Sequence, residues 1–231
     1  MLSIKNLHVA YGQSEIIHGI SFEAKQGEVV AIMGRNGMGK STLMKSLIGI
    51  NRAKSGRIEV EGEDLTKMPT HMRVKKGLAY VPQGRQIFSS LTVEENILTG
   101  MEHTLDKKAE LLENAYNMFP VLYDMRKRKG GNLSGGQQQQ LAIARALASE
   151  PKVLILDEPT EGIQPSIIKD MARMLNEIKL MSNLTIVVSE QVLSFTVNIA
   201  DRMYVVESGN FIHEDVRGSI DEKKITSYLS V

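Results

Sequence analysis

The sequence predicts an α/β fold: a parallel sheet covered on both faces, preceded by a β-rich N-terminal stretch and interrupted by a helical insertion. Three observations predict it. Val29 to Met33 is a short, wholly apolar run, as expected of a strand buried on both sides. Val153 to Leu156 and Leu184 to Val188 repeat the pattern around a helix-forming stretch, Ser166 to Leu180, which is the rhythm of a βαβ unit. From Thr92 to about Ser149 strand-like runs vanish and helix formers dominate.

Taken in order, Ile4 to Val9 and Ile16 to Phe22 read as strands, and Lys25-Gln26-Gly27 makes a turn before Val29. Ser134 stands where a helix N-cap belongs, ahead of Leu141, Ala144, Leu147 and Ala148 at helical spacing. Near the C-terminus Ser219 and Glu222 are spaced like a capping box, and Ile225, Tyr228 and Leu229 share one helical face. A short helix docked on the body is expected there. No internal repeat is found, and Gln137 to Gln140 is too short to count as low complexity.

With 231 residues, 42% hydrophobic and 24% charged, the chain has the composition of one globular domain with a real core. Lys plus Arg number 28 against 27 Asp plus Glu, a formal charge of +1, so no global field draws the chain to nucleic acid or an anionic membrane. The absence of cysteine excludes disulfides, thiolate metal sites and a cysteine nucleophile. No secretory signal is expected at Met1 to Asn6, and no apolar run approaches the roughly 18 residues that cross a bilayer. The basic run Arg126 to Lys129 reads as a solvated turn beside Gly130-Gly131, and the five histidines, His8, His18, His71, His103 and His213, lack metal-ligand spacing. The methionines read as core filler, Met38 being the one near chemistry.

Chemistry begins directly after Val29 to Met33. Gly34-Arg35-Asn36-Gly37-Met38-Gly39-Lys40-Ser41 matches the phosphate-loop pattern G-x-x-x-x-G-K-[ST], in the required strand, loop, helix context. Glycines let successive backbone N–H groups point inward at phosphate oxygens, and the helix that follows adds the positive end of its dipole. Lys40 is then placed to neutralise the β- and γ-phosphates of a nucleotide, and Ser41 offers a hydroxyl to Mg²⁺. The run Val153 to Leu156 ends in Asp157-Glu158-Pro159, so two carboxylates stand at the carboxyl end of a buried strand, where open α/β sheets bind ligands. Side-chain alternation predicts that the two diverge, Asp157 toward the metal and Glu158 toward the attacking water. Leu133-Ser134-Gly135-Gly136-Gln137 is a second helix start with exposed N–H groups, suited to an anion.

These three motifs together resemble the ATP-binding subunits of ABC transporters, whose hallmark is the LSGGQ signature between a phosphate loop and an LDEP strand. The likeness spans nearly the whole chain. It implies a phosphate-loop core of residues 1–91 and 150–231 with an N-terminal antiparallel β subdomain, and a helical signature subdomain of about 92–149. It further implies a head-to-tail dimer in which Ser134, Gly135, Gly136 and Gln137 of one subunit close over ATP held by the phosphate loop of the other. By the same resemblance Tyr11 stacks on adenine, Thr42 joins the loop residues in binding nucleotide, and Gln83 touches Mg²⁺ and the water. The implied activity is MgATP hydrolysis that powers a separate permease, from the cytoplasmic face of the cell membrane, with an extracytoplasmic solute-binding protein involved indirectly and no nucleic acid.

Two positions depart from the general pattern of that family. Gln164 stands where an aspartate is usual, and Gln191 where a histidine normally contacts the γ-phosphate. A glutamine amide donates and accepts hydrogen bonds but never becomes cationic. Gln191 in its Ser189-Glu190-Gln191 setting resembles the ATPases of branched-chain amino acid importers. Tyr80-Val81-Pro82-Gln83-Gly84-Arg85 with Glu158-Pro159-Thr160-Glu161-Gly162-Ile163-Gln164-Pro165 resembles the urea or short-chain amide branch of that group, which is the expected subtype; branched-chain amino acids are the alternative solute. An assembly-factor ATPase of the same family is the competing class, and a phosphate-loop kinase leaves Leu133 to Gln137 unexplained. Homodimer and heterodimer both remain open.

Overall fold

A computed structural model describes residues 1–101 and 105–229; His103 lies outside the described residues. The chain opens with β1 (Leu2–Tyr11), β2 (Ser14–Ala24) and β3 (Val29–Met33), then α1 (Lys40–Ile48), β4 (Ala53–Val60), β5 (Glu63–Asp64), α2 (Thr70–Lys75) and β6 (Leu78–Val81). Helices follow: α3 (Val93–Leu98), α4 (Lys108–Met118), α5 (Pro120–Asp124) and α6 (Gly135–Leu147). The last part alternates β7 (Val153–Asp157), α7 (Pro165–Ser182), β8 (Thr185–Glu190), α8 (Leu193–Ile199), β9 (Arg202–Glu207), β10 (Asn210–Val216) and α9 (Glu222–Leu229).

Two sheets result. An antiparallel sheet has the order β2-β1-β4-β5, and a six-stranded sheet has the order β10-β9-β3-β8-β7-β6, parallel throughout except for β10 at its edge. The uniform apolarity of β3 has a simple cause: Val29, Ala31 and Met33 enter the core under the helices, while Val30 and Ile32 enter a second core shared with α1 and the antiparallel sheet. Helices therefore do not cover both faces alone. One face of the large sheet is closed by α1 together with the antiparallel sheet, because Leu2, Ile4, Leu7 and Ile17 supply its apolar layer.

The C-terminal helix docks as expected, with Ile225 buried, but its cap differs from the expected one. Asp221 accepts from the N–H groups of Lys223 and Lys224, both at 3.1 Å, whereas Ser219 donates to the carbonyl of Val216. A cap must directly precede the helix, and Glu222 sits at its first position rather than its third. The run Arg126 to Lys129 is mostly exposed, and its backbone has a use: the carbonyls of Arg128 and Arg126 accept from the N–H groups of Val93 and Glu94 in the first turn of α3.

The far end of α1 is held by Arg73, which is 1% exposed. Its guanidinium donates to the carbonyls of Ser46 and Leu47, each at 2.7 Å, and to those of Met68 and Thr66. Burial pulls its pKa below the usual arginine value. Among the described residues no helix is long and apolar enough to cross a membrane.

Candidate active site at the phosphate loop

The loop between β3 and α1 is shaped by two glycines. A side chain on Gly34 would stand 2.6 Å from the carbonyl oxygen of Val206 in β9, so only glycine admits that close approach. Gly39, with φ of 106°, turns the chain into α1 in a conformation that L side chains rarely adopt. The loop is also pinned from outside: the carbonyl and sulfur of Met38 accept from the N–H groups of Gly209 and Ser208 in the turn between β9 and β10. Asn36 and Gly37 stay exposed at the tip.

Lys40 is 3% exposed and curls back into the loop, where Nζ donates to the carbonyls of Gly34 at 2.7 Å and Arg35 at 3.0 Å. The same ammonium pairs with Oε1 of Glu158 at 3.0 Å. Next to it, Ser41 Oγ donates to Oδ1 of Asp157 at 3.0 Å. Residues 116 and 118 positions apart in sequence are thereby fastened together at one point.

The two carboxylates do take different partners, but strand alternation is not the cause. Asp157 closes β7; its Oδ1 also accepts from Ser189 Oγ at 2.6 Å, and its Oδ2 accepts from the Tyr80 hydroxyl at 3.1 Å. Burial and the neighbouring Asp157 push the Tyr80 phenol pKa up, so Tyr80 remains a neutral donor. Glu158 lies beyond the strand in a left-handed conformation, φ 47°, where alternation no longer applies. That turn aims Oε1 at Lys40 and lets Oε2 accept from Gln83 Nε2 at 3.3 Å and Gln191 Nε2 at 3.1 Å. A strained non-glycine residue held this firmly at a cluster of polar groups is the usual mark of a functional position.

Gln191 Nε2 further donates to Oδ1 of Asn36 at 2.8 Å, linking the end of β8 to the loop tip. Tyr11, at the end of β1, is half exposed and its hydroxyl accepts from Asn51 Nδ2 at 2.6 Å. Tyr11, Thr42, Lys40, Gln83 and Glu158 border one open depression of about 440 Å³. Expected site residues from four separate stretches thus border it, and Gln191 brings in a fifth through its bonds to Asn36 and Glu158.

Ser134, Gly135, Gly136 and Gln137 lie apart from this group, at the start of α6. Ser134 Oγ accepts from the Gln137 N–H at 3.4 Å while Gln137 Oε1 accepts from the Ser134 N–H at 2.9 Å, a closed capping box. Arg85 flanks Gly135, and Ile167 of α7 presses on Gly136, where an added side chain would stand 2.8 Å from it. Gln164 immediately precedes α7 and makes no side-chain cap.

Sequence reasoning gave no role to Tyr80, Ser189 or Glu190, although all three are quoted above in the stretches that carry the family resemblance. The available signal is the switch from apolar to polar at the end of an otherwise buried strand, Val187-Val188-Ser189-Glu190. Among the described residues no three His, Cys, Asp or Glu converge as a metal cluster. A hydroxyl and a carboxylate, Ser41 and Asp157, already touch, and oxygen donors of this kind suit Mg²⁺, which keeps most of its shell for water and phosphate.

A glycine loop after a buried strand, a buried lysine within it and two acidic residues at the end of a parallel strand two places along the sheet define a phosphate-loop nucleotide hydrolase. The ABC transporter family profile matches residues 17–161, and the chain belongs to that family, whose members hydrolyse ATP. It is 39% identical over 221 residues to the high-affinity branched-chain amino acid transport ATP-binding protein BraG of Pseudomonas aeruginosa, covering 95% of this chain and 94% of the relative. It is 36% identical over 211 residues to the probable branched-chain amino acid transport ATP-binding protein LivF of Archaeoglobus fulgidus, covering 90% and 89%. The lipopolysaccharide export system ATP-binding protein LptB of Escherichia coli is 32% identical over 214 residues, covering 91% and 88%. Among solved structures, a nucleotide-free ATP-binding cassette from an ABC transporter superposes with a TM-score of 0.86 at 29% identity, covering 99% of this chain and 94% of the other.

Proposed function

We propose that this chain is the ATPase subunit of an importer for branched-chain amino acids, working at the cytoplasmic face of the cell membrane through separate permease subunits. The observation that carries this reading is the end-to-end similarity to two relatives named for branched-chain amino acid transport, at 39% and 36% identity. The stretches Tyr80 to Arg85 and Glu158 to Pro165 point by resemblance to urea or short amides, but these relatives favour the alternative solute. Identity to the lipopolysaccharide export relative is lower, at 32%.

In this reading residues 1–91 and 150–231 form the nucleotide-binding core and about 92–149 the helical signature subdomain. ATP lies along the phosphate loop, with Tyr11 against adenine and the N–H groups of Gly34 to Thr42 around the phosphates. The contacts of Lys40 and Glu158 support a particular sequence of events. Lys40 leaves the carbonyls of Gly34 and Arg35 and the carboxylate of Glu158 for the β- and γ-phosphates, and Glu158, relieved of its cation, accepts a proton from the attacking water. Gln191, already bonded to Glu158 and to Asn36, orients that water or the γ-phosphate with its neutral amide. Ser41, Gln83 and Asp157 would hold Mg²⁺, which supplies neutralisation of phosphate charge. The products are ADP and phosphate. The capped end at Ser134 to Gln137 serves the nucleotide of a second subunit, identical or different, in a head-to-tail pair, and an extracytoplasmic binding protein delivers the solute to the permease.

Deleting the gene and scoring growth on leucine, urea or short amides as sole nitrogen source tests the solute. Loss of growth on leucine alone is the expected result. Loss confined to urea or amides overturns the solute class while leaving the ATPase assignment intact.

A further inference from the structure

Glu190, the last residue of β8, is 2% exposed, and the hydrolysis scheme above makes no use of it. A carboxylate so enclosed persists only when its oxygens are well bonded. Oε1 accepts from the N–H of Thr160 at 2.9 Å and from its hydroxyl at 2.6 Å. Oε2 accepts from the N–H groups of Gln191 at 2.9 Å and Val192 at 3.2 Å. The four donors belong to two turns: the one that follows β7 and carries Glu158, and the one that follows β8 and carries Gln191.

We propose that Glu190 is a positioning residue for hydrolysis: its buried carboxylate fastens the Glu158–Thr160 turn to the Gln191 turn, so that the two side chains flanking the attacking water are held as one unit. The proposal rests on the roles given above to Glu158 and Gln191. The first turn is tight, closed by the N–H of Glu161 on the carbonyl of Glu158 at 3.2 Å, and Thr160 is its buried inner residue. Holding Thr160 therefore helps to hold the left-handed backbone at Glu158, whose own N–H donates to the carbonyl and hydroxyl of Ser189 at 3.0 and 3.2 Å. On the other side the backbone N–H of Gln191 is itself the bonded group, so the point from which the Gln191 side chain projects is set by the same carboxylate. The outcome is the Gln191 Nε2 to Glu158 Oε2 contact of 3.1 Å. The preceding residue, Ser189, points the other way along the strand and bonds Asp157. The Ser189 hydroxyl also accepts from the Glu158 N–H at 3.2 Å, so Ser189 reaches both Asp157 and the Glu158 turn, while Glu190 bonds Thr160 and the Gln191 turn.

Glu190→Gln keeps the shape but replaces one acceptor oxygen by an NH₂ donor, which then faces N–H groups. In the full-length chain, steady-state ATP hydrolysis by Glu190→Gln is expected to fall by about tenfold or more in kcat, with KM and the calorimetric ATP affinity within about twofold of wild type. In a Gln191→Ala background the same substitution is expected to cost a smaller factor, because the share that acts through the Gln191 contact is already lost while the share that acts on the Glu158 turn remains. Should Glu190→Gln fail to fold, Thr160→Val, which removes one of the four donors, is read in the same way with a smaller loss of kcat. An unchanged kcat, a rise in KM alone, or the full factor retained beside an impaired Gln191→Ala overturns the proposal. Wild-type turnover by Gln191→Ala overturns instead the role given to Gln191, and the Glu190 proposal falls with it.

Discussion

The two helix starts that the sequence marks as anion grips, at Lys40 and at Ser134, are built in opposite ways. The start of α1 carries no side-chain cap, and the groups around it come from far along the chain: Glu158, Asp157 and the turn at Ser208 and Gly209. The start of α6 is closed by its own Ser134 and Gln137 and is otherwise bordered by Arg85, Gly162 and Ile167. A helix end left uncapped and furnished with a lysine depends on the whole fold to be assembled, whereas a self-capped end is complete within four residues. Damage at the first should therefore spread, and damage at the second should stay local until two subunits meet.

Lys40→Ala gives the largest expected effect. It is expected to lose much of the nucleotide affinity and also to leave Glu158, 7% exposed, as an unpaired buried carboxylate, which costs about 3–5 kcal/mol when a buried pair is broken from one side. The double variant Lys40→Ala with Glu158→Gln is expected to recover most of the lost thermal stability and none of the binding. Calorimetry and a melting curve read both; equal Tm values for the single and double variants would break the comparison.

Glu158→Gln alone is expected to abolish turnover while ATP binding persists, and ATP-bound dimer accumulates on size-exclusion chromatography. Ser134→Ala is expected to lower stability by about 1 kcal/mol through the lost cap and to leave ATP affinity of the isolated subunit unchanged, while hydrolysis falls. A changed affinity in that variant would mean that the two helix ends communicate within one subunit.

The smallest effect is expected at neither end. Glu15 on β2 accepts from Lys54 and His8, and these partners lower its pKa from the ordinary 4.5 to about 2. The stability it contributes is fully present above pH 4.5 and drains away as pH falls toward 2, so the Tm difference from Glu15→Gln should close over that window. A difference that stays undiminished between pH 4.5 and pH 2 would place the cause outside this carboxylate.

Much of this arrangement could be read from the sequence because it is local. The phosphate loop is eight consecutive residues, β3 spans the expected Val29 to Met33 without revision, and Ser134 is the N-cap. What escaped is what two distant strand ends do to each other. Nothing in Asp157-Glu158 announces that Glu158 turns left-handed, and nothing in Ser189-Glu190 announces that one grips Asp157 and the other Thr160. The C-terminal cap was missed for a smaller reason: Asp221 and Ser219 are both good caps, and the choice depends on where the helix begins.

Arg73 gives α1 a second anchor. Its guanidinium clasps the last carbonyls of α1 while Lys40, in the first turn, bonds back to the loop, so this short rod is fastened at head and tail. A change at the loop is then expected to be taken up by side chains such as Lys40 rather than by a shift of the helix axis.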